Sequence, residues 1–208
     1  MFAELLKERS LQDFFAVFDE KDVKAKSIIH DLKLSWDIYS RWRKDSHADR
    51  VSYMRNQFMD NYEHATTSRK NPKVFVKVGQ AHAAQTISNG AYDLGYMCNE
   101  LAQKNGTKCI NINSWTSYYL EETEVVNVLQ ERSYYKRFKS FTCFADKDQW
   151  TIIDLVSIRE DVAKGHLLLP QNGDYHAIKK LIEAYDYQLI MPLDQMPKEN
   201  RSIPKEVS

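Results

Sequence analysis

Six histidines offer the first candidates for proton-transfer chemistry: His30, His47, His64, His82, His166 and His176. Only His82 follows an evident β-prone run, residues 73–78, which closes at Gly79 and delivers the imidazole three residues later. In an open α/β sheet, reacting groups gather beyond the carboxyl ends of the strands. A histidine held there is placed to act as a general base, because imidazole exchanges protons near neutral pH. Packing at a strand end is the competing reading of the same residue. The other five fall in helical or loop stretches and read as surface or capping residues. Paired His ligands for a metal therefore have no support in the sequence. Cys98, Cys109 and Cys143 form an odd, widely spaced set without C-x-x-C, which argues against both a disulfide framework and a zinc–thiolate site. Buried free thiols are the expectation. The sequence also lacks G-x-S-x-G, Walker, G-x-G-x-x-G and H-E-x-x-H motifs.

The elements that would position His82 follow from periodicity. Residues 1–66 read as helical. Leu11, Phe14, Phe15 and Phe18 recur at core-facing helical spacing behind a Ser10-x-x-Asp13 start. Ile28, Ile29, Leu32, Trp36, Tyr39 and Trp42 supply the apolar face of a second helix over residues 27–42. A third helix opens at Ser46-His47-Ala48-Asp49 and buries Val51, Met54, Phe58 and Tyr62. Arg50 sits in its first turn, where a cation opposes the helix dipole; a solvated residue or a partner for Asp49 is the ordinary reading. A loop ending in Asn71-Pro72 leads into the strand before His82. A helix to about residue 104 stops at Asn105-Gly106, and residues 109–113 form a second strand, giving a parallel β-α-β unit. Residues 138–144 and 150–155 read as an antiparallel hairpin. A helix over residues 175–184, capped by Asp174, and a last strand over residues 187–192, ended by Pro192, complete the core. Residues 198–208 read as a loose tail.

Composition sets the outer bounds. The 208 residues suffice for one ordinary domain with a helical extension, and 43% apolar content is that of a globular chain. The 29 basic and 29 acidic residues cancel, so nothing draws the chain to nucleic acid or anionic membrane. No apolar run reaches the ~20 residues that span a bilayer. Residues 1–9 carry charges where a signal peptide keeps an apolar segment, so no export signal is expected in them and the compartment stays open.

Several short motifs, taken in order, resemble a known superfamily. They are Arg50-x-x-x-Met54-x-Asn56 on a helix, the strand end Gly79-Gln80-Ala81-His82, and a Gly-containing turn and helix over residues 90–102. Ile153-Asp154-Leu155 with Arg159, and the final stretch over residues 185–192, follow. Together, across roughly residues 45–197, they look like the second half of erythromycin-esterase-like proteins. The ChaN-like haem-uptake proteins and the TraB/TIKI group share the same general plan. The resemblance implies an α/β fold: a mixed, largely parallel sheet flanked by helices, over residues 67–197, with residues 1–66 packing on it as a helical segment. It implies an ester hydrolase acting on a small-molecule substrate, with His82 as general base and Arg50 as its cationic partner. Gln80, Asp93 and Asp154 are candidates for substrate contacts, and Asp93 and Asp154 for the missing acid. No metal site is assigned. The alternatives are a ChaN-like protein holding haem or a divalent metal, and a catalytically silent fragment. The Gly-Glu-x-His motif of the superfamily's first half is missing here. The expectation is therefore a C-terminal part of a longer chain or a reduced relative lacking half the site, with a missing N-terminal half or a homo-oligomer as the expected partner.

Overall fold

The computed structural model describes residues 9–17, 22–40, 46–121, 124–131 and 133–195. The chain divides into two compact units, residues 1–75 and residues 76–208. The first unit holds α1 (Arg9–Val17), α2 (Val23–Ser40) and α3 (Ser46–Ser68). Phe15 of α1 is buried and meets Trp36 of α2 with ring centroids 5.9 Å apart, while Ile38 and Val51 bury on α2 and α3. The stripe expected on α1 is narrower than its spacing suggests, because Phe14 is 54% exposed. Phe18 and Trp42 lie outside the described residues.

The second unit contains the one-turn helix α4 (Gln80–Ala83), α5 (Leu94–Lys104), β1 (Ile112–Glu121), β2 (Glu124–Asn127) and the short helices α6 (Val128–Glu131), α7 (Ser133–Lys136) and α8 (Lys139–Thr142). It continues with β3 (Thr151–Asp154), α9 (Leu155–Ala163), α10 (Tyr175–Ala184) and β4 (Tyr187–Gln195). The described strands form one sheet in the order β2-β1-β4-β3. Only the central pair, β1 with β4, is parallel; β2 and β3 flank it antiparallel. The α/β class is thus present, but the sheet is mixed and not largely parallel.

Side chains alternate across this sheet as the pleat requires. Trp115 and Ile190, in register with each other, face a core completed by Leu155, Ile178, Leu181, Ile182, Phe138 and Phe141. Ile112, Ile152 and Leu193 point the other way and are exposed. Pro192 lies inside β4 and does not end it. Pairing with β3 stops at Ile190, and the register with β1 runs from Met191 to Leu193 without it, so no ladder donor is lost there.

Two expected strands are absent. Residues 73–78 join no sheet, and no backbone hydrogen bond links residues 70–78 to other described residues. Their β propensity has no partner edge to act on, since propensity in a strand is chiefly packing against neighbours. Residues 138–144 are helical turns, with Phe138 and Phe141 both buried at the i, i+3 spacing that belongs to a helix. The hairpin with residues 150–155 is therefore not formed, and Thr151–Asp154 pairs with β4 instead. No described helix is long and apolar enough to cross a membrane.

Candidate active site

His82 is carried on α4, which opens at Gly79 in extended conformation and closes with a His82 N–H to Gly79 carbonyl bond of 2.9 Å. So short a helix holds no shape alone, and its neighbours clamp it. The Tyr185 hydroxyl donates to the Gln80 carbonyl at 2.7 Å, and Asn111 Nδ2 donates to the Ala83 carbonyl at 2.8 Å. The Gln85 N–H donates to the Ala184 carbonyl at 2.9 Å. A further constraint comes from Gly95: a Cβ there would lie 2.3 Å from the Ala83 oxygen, so only glycine lets α4 rest on the start of α5.

Asp93 arrives from the opposite direction. Ser88 and Ala91 exchange two 3.0 Å backbone bonds around Asn89 and Gly90, whose φ angles of 50° and 80° make the primed turn that Asn-Gly favours. The chain then places Asp93 at the N-cap of α5, with no exposed surface. Its Oδ1 accepts the Leu94 N–H at 2.7 Å, and its Oδ2 lies 2.6 Å from His82 Nδ1. A carboxylate only accepts, so Nδ1 carries the proton and Nε2 becomes the basic atom of the ring. The His82 side chain keeps 14% of its surface exposed.

This pair sits at the amino ends of β1 and β4, not at a carboxyl end. Asn111, which holds α4, immediately precedes β1. The Asp186 N–H, just before β4, donates to the Asn111 carbonyl, and Asp186 Oδ2 accepts the Asn111 N–H. Asn111 Oδ1 also accepts from Asn99 Nδ2 on α5 at 2.6 Å. Sequence reading overlooked Asn111, Tyr185 and Gly95. A signal for Asn111 existed in the alternation Ile110-Asn111-Ile112-Asn113, whose natural reading puts the isoleucines inside. The reverse holds: Asn111 and Asn113 are buried while Ile110 and Ile112 are exposed, because each asparagine finds a polar partner, Gln188 for Asn113.

The remaining predicted residues have other duties. Gln80 is exposed and enters the cluster through its carbonyl. Asp154 caps α9, accepting from the Val156 and Ser157 N–H groups and, at 2.7 Å, from the Ser157 hydroxyl. Those bonds from Ser157 hold its carboxyl below the usual carboxylate range. Arg50 belongs to α3 in the first unit, half-buried, with an Nη 3.5 Å from His47 Nδ1. Arg159 gives Nε and an Nη to the Ile182 carbonyl and the same Nη to the Tyr185 carbonyl, completing the C-terminal end of α10. Beside α4 a cleft of about 370 Å³ opens between Gln85 and Thr86, one face of α5, Arg159 and Glu183; His82 is not in its wall. Among the described residues no three His, Cys, Asp or Glu side chains converge as metal ligands. Burial, then the neighbouring Cys109, pushes the Cys98 thiol up to about 11.

No protein-family model matches the chain, and no curated protein or solved structure matches it either.

Proposed function

We propose that the second unit carries a hydrolase site of the erythromycin-esterase-like kind, in which His82 is the general base and Asp93 orients it. The observation that carries this reading is the 2.6 Å bond between His82 Nδ1 and a fully buried carboxylate. A packing histidine needs no such partner, whereas a base needs its tautomer fixed and the imidazolium that forms stabilised. Nε2 takes a proton from water as the oxygen attacks an ester carbonyl. The acyl C–O bond then breaks and the leaving alkoxide recovers that proton, giving acid and alcohol.

Turnover of a panel of activated and alkyl esters tests the assignment. His82→Ala should abolish it and Asp93→Asn should lower kcat on the order of 10²-fold or more. Circular dichroism would confirm that each variant folds. Undiminished turnover in folded His82→Ala removes the base. A Soret band on haem titration, lost with His82, would put the haem-binding reading in its place.

A further inference from the structure

The sheet has two faces, and the core described above lies on only one of them. Alternation along β4 sends Gln188, Ile190 and Pro192 inward and Tyr187, Leu189, Met191 and Leu193 outward. The strand is therefore more apolar on the side away from the core. Its neighbours extend that outer face: Ile112 of β1 is 51% exposed and Ile152 of β3 67%, and Val125 of β2 is exposed as well. A parallel pair of strands is ordinarily covered on both faces, and an apolar expanse of this breadth marks an interaction surface. Among the described strand residues, Asp154 is the one carboxylate or cation on this face, and it is committed to the cap of α9. A charged partner finds no counter-charge there, whereas a second copy meets no like-charge repulsion.

The relief of the face is self-complementary. Its outward side chains make β4 a ridge, and beside Leu189 and Met191 the register places Ser114 and Thr116, the small residues of a trough along β1. A two-fold axis parallel to the strands, midway between β1 and β4, seats the ridge of each copy over the trough of the other. An axis across the strands would set ridge on ridge. At ~3.3 Å per residue and ~4.8 Å between strands the sheet projects roughly 400 Å². The accessible surface of its side chains exceeds that projection and is of the order of the ~800 Å² per partner of a standard interface. We infer that this outer face is the interface of a two-fold homodimer, with Met191 of each copy over Thr116 of the other. Because such an axis preserves strand direction, both His82–Asp93 pairs lie at the same end of the dimer.

The test is analytical ultracentrifugation of the full chain, which should show a species of twice the 24.4 kDa chain mass. Met191→Lys puts an ammonium on the ridge and Thr116→Arg fills the trough. Each should weaken the dimer about thirtyfold or more, with circular dichroism confirming the fold, so that either variant can decide if the other misfolds. Phe75→Lys, in a different exposed apolar stretch, should leave the dimer unchanged. The axis is read from chains whose native cysteines are replaced by alanine. Thr116→Cys mixed with Met191→Cys should be joined by a short bismaleimide faster than either is joined to itself. A monomer throughout, whether free or floated by neutral vesicles, overturns the interface, as does a dimer that both face variants leave intact. Preferred joining of Met191→Cys to itself overturns the axis.

Discussion

At the scale of single residues, the His82–Asp93 pair depends on groups outside it. Tyr185 is the clearest: burial raises its phenol to about 12, so its hydroxyl remains a donor to the Gln80 carbonyl through the whole working pH range. Gly95 matters through what it lacks. Gly95→Ala drives a methyl group into the Ala83 carbonyl, which must move together with the turn that bears His82. The expected cost is about 1–3 kcal/mol of stability, read from chemical denaturation. Ester turnover should fall further than unfolding alone explains, because His82 is displaced from Asp93 in molecules that remain folded. Unchanged melting and turnover would mean that α4 yields without affecting the pair.

At the scale of elements, β1 carries a row of polar groups into the core. Asn113 Oδ1, Trp115 Nε1 and Ser117 Oγ are buried with no hydrogen-bond partner among the described residues. An unpaired hydroxyl in such a place costs more than it returns, so Ser117→Ala should be neutral or stabilising by up to about 1 kcal/mol, visible as an unchanged or higher urea midpoint. The cap of α9 gives the opposite sign. Because the folded Asp154 carboxyl titrates below the ordinary range, its stabilisation is present above the unfolded pKa and disappears as pH falls through the folded one. Asp154→Asn should therefore lower the melting temperature at pH 7, and the difference from the parent should shrink as the pH falls through the folded titration. The sequence was legible for these elements where a local signal sufficed. Asn105-Gly106, with Gly106 at φ 62°, stops α5 as expected, and α10 spans Tyr175–Ala184. Asp174, expected to cap α10, makes no side-chain cap bond. Reading failed where pairing decided the outcome, as in residues 73–78, or where three-residue spacing of aromatics passed for a strand, as at Phe138 and Phe141. The His82–Asp93 contact was open to suggestion but not to derivation, because the Asn89-Gly90 turn and the absent side chain of Gly95 together set that distance.

At the scale of the whole molecule, the boundary between the two units falls within the stretch that most resembles a strand. Phe75 is 90% exposed, with Val74 and Val76 also exposed beside it. Backbone free of internal hydrogen bonds is what a protease needs to bind and cleave. Brief chymotrypsin treatment should cut first after Phe75, giving two fragments that mass spectrometry can assign; first cleavage within α3 or α5 would contradict the described exposure. The same stretch has a consequence for solubility. Val74-Phe75-Val76 is short, apolar and rich in β-formers, the composition that zips copies of a chain into stacked strands. Lys73 and Lys77 bracket it with like charges that would be forced together in such a stack. Those two ammonium groups stand guard over the colloidal state of the protein, and a modification that neutralises them would remove that guard while leaving the His82–Asp93 pair untouched.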